Sequence, residues 1–216
     1  MTRLVIYDLD GTLIDSAGVV ISILNQMKYE LGGSPIDKDA LIPWLSLGGE
    51  SLITNALGVS NTEVSTYLED FRARYLQIPT PKSAMYPGVY EALDSLEAAG
   101  VNLALCTNKP RKLAEKVLHE TGLIDKFTFM SAGGDLPTQK PNPKNLEICL
   151  NYYDALPKDV LFVGDSSIDQ TLCKSLGVPF VHYLPGYDDG VSGDVANYKI
   201  EHHFELMEII GASHVN

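Results

Sequence analysis

Five short apolar runs, separated by amphipathic segments, constrain this chain more than any other feature. Residues 4–7, 101–106, 127–130, 160–163 and 179–183 have the length and apolarity of buried strands. Helical patterns fill 89–99, 110–120, 143–152, 167–176 and about 201–210. Pro110 and Pro143 stand where a first helical residue is expected, and Gly122 and Gly177 stand just past two helix ends. Strand-helix alternation of this kind implies an α/β fold: a doubly wound, mostly parallel sheet with helices on both faces. In such sheets reactive groups gather beyond the carboxyl ends of the strands. Asp8, Thr107 and Asp165 each fall just past a predicted strand end.

One interval breaks the alternation. Between 16 and 85 no strand pattern is visible, and 19–31, 37–45, 50–57 and 62–77 all have helical spacing. Gly32-Gly33-Ser34-Pro35 and Gly48-Gly49 punctuate these helices, and Pro79, Pro81 and Pro87-Gly88 mark the way back. The expected organisation is a core of 1–15 and 86–216 with an all-helical insertion at 16–85. Asp15-Ser16 is expected to cap the first inserted helix and set its hinge, and Gly48-Gly49 to form a loop facing the site.

The formal net charge of −12 over 216 residues argues against nucleic acid and anionic membrane surfaces as partners. An anionic small molecule remains compatible, because a metal ion and a few lysines reverse the potential locally. Cys106, Cys149 and Cys173 are odd in number and widely spaced, which suggests buried reduced thiols rather than disulfides or a zinc site. No signal peptide is expected before the first apolar run, and no run approaches the roughly 20 residues of a membrane span. The cytoplasm is the expected compartment, and the chain is expected to be a monomer or weak homodimer.

Four clusters carry chemistry. In Asp8-Leu9-Asp10-Gly11-Thr12-Leu13, residues two apart in extended chain project to one side, so two carboxylates approach each other. At 4 Å their repulsion costs about 4 kcal/mol at an effective dielectric of 20. A hard divalent cation offsets that cost, and an oxygen-rich site with few protein ligands suits Mg²⁺. Gly11 permits a tight turn and close approach of a ligand. Thr107-Asn108, at an expected strand-to-helix turn, offers a hydroxyl and N–H groups as an anion cradle. Lys140 in Gln139-Lys140-Pro141-Asn142-Pro143 supplies a cation, and Gly164-Asp165-Ser166-Ser167-Ile168-Asp169 adds two more carboxylates. Taken singly these are a solvated loop, a helix cap, a surface lysine and an exposed helix residue. Their order and strand-end placement make a joint accident improbable.

That quartet resembles the four motifs of the haloacid dehalogenase superfamily of aspartate-nucleophile phosphatases, over nearly the entire chain. The resemblance implies that Asp8 attacks phosphorus and that Asp10 protonates the leaving alkoxide and then activates water. It implies that Thr107 and Lys140, with Gly11 and Asn108, hold the phosphoryl oxygens. Mg²⁺ is then the expected cofactor, ligated by Asp8, Asp165 and the Asp10 backbone carbonyl, with Asp169 supporting the metal shell or contacting Lys140. An acid two residues after the nucleophile points to phosphate esters rather than carbon–halogen bonds. The insertion is similar to the small helical cap of one branch, which implies a small phosphorylated substrate. Thr107-Asn108-Lys109-Pro110 and Tyr86-Pro87-Gly88-Val89 resemble segments of the phosphoglycolate phosphatase subgroup. A phosphosugar mutase of the β-phosphoglucomutase kind, a pyrophosphatase or a nucleotidase would share much of the pattern. A non-enzymatic receiver-like phosphoacceptor is the remote alternative. The loop Gly186-Tyr187-Asp188-Asp189-Gly190 and the pair His202-His203 carry no signal and are expected at the surface.

Overall fold

The computed structural model describes residues 2–45, 49–187, 189–192 and 197–212. Its centre is a six-stranded, all-parallel sheet in the order β3-β2-β1-β4-β5-β6. The strands are β1 (Leu4–Tyr7), β2 (Asn102–Pro110), β3 (Phe129–Gly133), β4 (Val160–Gly164), β5 (Phe180–Tyr183) and β6 (Tyr198–Ile200). Both faces of β1 are covered, as its unbroken Leu-Val-Ile-Tyr run requires. Val5 and Tyr7 enter one apolar cluster, while Leu4 and Ile6 enter the other, on the opposite face.

Helices α5 (Val89–Ala98), α6 (Arg111–Thr121), α7 (Lys144–Tyr152), α8 (Ser167–Leu176) and α9 (Glu205–Ala212) surround the sheet. α7 and α8 cover the Leu4–Ile6 side, and α5, α6 and α9 the other. α8 begins in a capping box: the Ser166 hydroxyl accepts from the Asp169 N–H while the Asp169 carboxylate accepts from the Ser166 N–H. Among the described residues no helix is long and apolar enough to cross a membrane.

Between β1 and α5 lie α1 (Ala17–Glu30), α2 (Lys38–Leu45), α3 (Gly49–Leu57) and α4 (Val64–Gln77). Their apolar residues pack together and continue into the larger cluster. The way in and the way out are paired: Asp15 N–H donates to Ala84 O at 2.8 Å and Tyr86 N–H to Leu13 O at 3.0 Å. Gly48 lies outside the described residues, while Gly49 opens α3.

β3 starts two residues later and ends three residues later than the apolar run 127–130 suggests, and two further elements differ from the sequence expectation. β2 does not stop at Cys106 but runs to Pro110 through an irregularity: Cys106 pairs with Ser131 and Pro110 with Gly133. Residues 107–109 thus face a single residue of β3 and form a bulge, a device that re-aims side chains. Thr107 and Asn108 therefore sit in a bulged strand end, not at a helix N-terminus. β6 was not foreseen; it adds parallel to β5, pairing Val181 with Tyr198 and Tyr183 with Ile200.

Candidate active site

Asp8 follows β1, and its N–H donates to Val163 O of β4 at 2.9 Å, which fixes the start of the loop between two central strands. Asp165 follows β4, and Asp169 lies one turn into α8. One oxygen of each of Asp8, Asp165 and Asp169 lies within 4.8 Å of the others. Lys140 Nζ approaches from the loop before α7, 2.8 Å from Asp8 Oδ1 and 2.7 Å from Asp169 Oδ1. Asp165 Oδ1 accepts from the Thr12 hydroxyl at 2.8 Å, and Oδ2 from the Tyr187 N–H at 2.8 Å.

Three buried carboxylates against one ammonium leave 1 − 3 = −2 formal charges if all are ionised. The consequence shows in their acidities. Burial pushes Asp8 up to about 6 even though Lys140 pulls it down. Burial, with the Asp8 and Asp169 charges beside it, raises Asp165 well above the usual carboxylate range. Burial works to lower the Lys140 ammonium, but Asp169 and Asp8 outweigh it and raise it above the ordinary lysine range. Asp8 Oδ1 and Lys140 Nζ form a buried ion pair. An all-oxygen donor set with excess negative charge fits a hard divalent cation.

Asp10 does not join this group. Its carboxylate grips Lys109 Nζ at 2.9 and 3.1 Å. Lys109 in turn lies 4.3 Å from the centroid of the Tyr75 ring on α4, a cation–π contact that joins β2 to α4. The two acids of the Asp8-Leu9-Asp10 motif thus have separate counter-ions rather than one shared between their side chains.

Thr107 is buried beside Asp8, and its Oγ1 accepts from the Lys109 N–H at 3.1 Å. Asn108 clamps the backbone of Lys140: its Oδ1 accepts from the Lys140 N–H at 2.7 Å and its Nδ2 donates to Lys140 O at 3.1 Å. Gly11 uses its N–H on Ile14 O at 2.9 Å. With φ of +82°, a Cβ there would stand 2.1 Å from Asp165 Oδ2. Asp8, Asp10, Thr107, Asn108, Lys109 and Lys140 line a cavity of about 110 Å³. Leu52, Leu68, Phe71, Arg72 and Tyr75, from α3 and α4, line the same cavity, together with Gly49.

The expectation that residues 186–190 and His202-His203 lie at the surface is corrected for Tyr187 and His203. Both are buried. Tyr187 binds Asp165, as above. His203 Nε2 donates to Thr12 O at 3.0 Å, and its ring stacks on Tyr183 at 4.4 Å between centroids. Asp188 lies outside the described residues. Within the expected Asp15-Ser16 cap, Asp15 makes the bond: its Oδ1 accepts from the Ala17 N–H at 3.2 Å, while Ser16 makes no side-chain cap bond. Thr12 and Lys109 were within motifs the sequence exposes, although nothing in the spacing named their partners.

The pattern of the haloacid dehalogenase-like hydrolases matches residues 5–183. A phosphoglycolate phosphatase of Vibrio parahaemolyticus is 31% identical over 98% of this chain and 97% of its own. One of Pseudomonas putida is 34% identical over 88% of this chain and 72% of its own. The crystal structure of a predicted phosphoglycolate phosphatase from Haemophilus somnus superposes with a TM-score of 0.88 at 26% identity, covering 97% of this chain and 98% of that one. The chain belongs to the haloacid dehalogenase-like hydrolase family and is a phosphatase.

Proposed function

We propose that the protein is a Mg²⁺-dependent phosphomonoesterase that hydrolyses a small phosphorylated metabolite, phosphoglycolate first among the candidates, through an aspartyl-phosphate. The observation that carries this reading is Asp8 at the cavity wall, with Lys140 Nζ 2.8 Å from its oxygen and Asp165 within the same carboxylate group. Relatives named phosphoglycolate phosphatases over nearly the full chain support the substrate.

Asp8 supplies the carboxylate oxygen that forms a bond to phosphorus as the ester P–O bond breaks. Asp10, lining the same cavity, gives its proton to the departing alkoxide. As a carboxylate it then takes a proton from the water that attacks the acyl phosphate, releasing phosphate and restoring Asp8. Such proton transfers contribute typically 10²- to 10⁴-fold. Lys140 and Thr107 hold the transferring oxygens, which need positioning and charge stabilisation more than covalent help. Asn108 serves this by fixing the backbone that carries Lys140. Asp8, Asp165 and the Asp10 carbonyl would hold Mg²⁺, with Asp169 behind them, and the ion would supply Lewis-acid neutralisation of phosphoryl charge.

The segment 16–85 acts as a cap on a core of 1–15 and 86–216, excluding water and presenting Arg72 and Tyr75 to the leaving group. A phosphate-release screen over phosphoglycolate, sugar phosphates, nucleotides and pyrophosphate, with and without Mg²⁺, tests the reading. Mg²⁺-dependent release with phosphoglycolate ahead supports it. Conversion of a sugar 1-phosphate to its 6-phosphate without free phosphate would replace it.

A further inference from the structure

The loop after β5 reaches both the carboxylate group and the connector into the insertion through one residue. The Tyr187 N–H donates to Asp165 Oδ2 at 2.8 Å. At its other end, the Tyr187 hydroxyl donates to Asp15 Oδ1 at 2.9 Å and accepts from the Ala17 N–H at 2.9 Å. Ala17 is the first residue of α1, so the phenol, together with Asp15 Oδ1, caps an N–H that a helix start leaves without an intrahelical partner. Asp15 is also the residue whose N–H pairs with Ala84 O, at the end of a short 3₁₀ turn on the returning segment. The tyrosine is buried and spans this distance with one rigid ring.

The packing leaves no slack around that ring. A Cβ on Gly11 would lie 2.7 Å from Tyr187 Cδ2, and one on Gly186 would lie 2.2 Å from Asp165 Cβ and 2.5 Å from Gly11 O. The ring of Tyr86, on the returning segment, meets Tyr183 of β5 edge-on at 5.1 Å. The same strand-to-loop unit thus props both connectors and one member of the carboxylate group.

We propose that Tyr187 is a positioning residue that couples the seating of α1 to the placement of Asp165. It rests on the reading above, in which Asp8 and Asp165 hold Mg²⁺. Any shift of Asp165 on cation binding is then transmitted through the Tyr187 backbone to its hydroxyl and to the hinge amide at Ala17. By linkage, loosening the hinge weakens cation binding by the same factor.

The test is hydrogen exchange of the segment containing residues 15–20, with and without saturating Mg²⁺, together with Mg²⁺ half-saturation measured by calorimetry. In the wild-type protein Mg²⁺ slows exchange at this hinge by about tenfold. Tyr187→Phe keeps the N–H to Asp165 and the ring but removes both hydroxyl bonds. It abolishes the Mg²⁺-dependent slowing and raises Mg²⁺ half-saturation about fivefold. Asp15→Ala, which removes the acceptor on the far side, gives the same loss and guards against a peculiarity of one variant. A merely structural tyrosine would speed hinge exchange equally with and without Mg²⁺, leaving the ratio intact. An intact ratio in Tyr187→Phe, or no Mg²⁺ effect in the wild type, overturns the inference. Mg²⁺-dependent phosphate release in the same preparations separates the two failures: if it persists, only the coupling is lost; if the wild type releases no phosphate, the function is lost as well.

Discussion

Lys109 Nζ sits 2.9 Å from Asp10 Oδ1 and 4.3 Å from the centroid of the Tyr75 ring of α4. Burial opposes the charge on Lys109, but Asp10 and Tyr75 outweigh it and raise the ammonium above the ordinary lysine range. The general acid–base of the proposed reaction is therefore held by a cation that the Tyr75 ring of α4 contacts.

Removing that cation should loosen Asp10 without removing it. Lys109→Met is expected to lower kcat by about 10- to 100-fold, the usual effect of a misplaced reacting group. Asp10→Asn, which removes the proton carrier, should cost about 10²- to 10⁴-fold. Steady-state kinetics on one phosphate ester read both. A Lys109→Met enzyme with wild-type kcat would show that the pair does not position Asp10.

Gly186 and Gly18 give opposite outcomes from the same substitution. A Cβ on Gly186 would meet Asp165 Cβ at 2.2 Å and the Gly11 backbone oxygen at 2.5 Å, neither of which yields easily. Gly186→Ala should destabilise by about 1–3 kcal/mol and weaken Mg²⁺ binding. Gly18, exposed near the start of α1 with nothing within 4 Å, should gain up to about 1 kcal/mol on substitution by alanine. Urea unfolding of both variants checks the contrast; equal effects would contradict it.

His203 makes stability depend on pH. Burial holds its imidazole down at about 4, against about 6.5 in an unfolded chain. Between those values the unfolded state binds more protons. The contribution is therefore complete above about pH 6.5 and is lost as pH falls towards 4. It is on the order of 3 kcal/mol in full. His203→Gln keeps a donor for Thr12 O and cannot titrate. Between pH 7 and 4.5 the wild type should lose about 2–3 kcal/mol more than this variant in urea unfolding. Parallel losses would mean that His203 is protonated in the folded state.

Much of this architecture is visible in the chain. The apolar runs ending at Tyr7 and Val163 announce buried parallel strands, because strands covered on both faces need no polar alternation. What stays hidden is set by tertiary contact. Pro110 resembles a helix start, so the bulge that carries β2 past Thr107 to Pro110 has no local signal. β6 is three residues long with only Ile200 buried, too short for any period to register. In the site, the acids and Lys140 are legible from their order along the chain. Their grouping is not: Asp10 finds Lys109 across 99 positions, and Tyr187 finds Asp165 from a loop with no pattern. A side chain's partner across the sheet is decided by packing, which spacing does not encode.

The central claim is that Asp8 is the nucleophile of a Mg²⁺-dependent phosphatase. Phosphate release from phosphoglycolate in saturating Mg²⁺, wild type against Asp8→Asn, tests it most directly. The wild type is expected to turn over, and the variant, folded to the same unfolding midpoint within a few degrees, to release phosphate only at the assay background. Undiminished release by Asp8→Asn would contradict it.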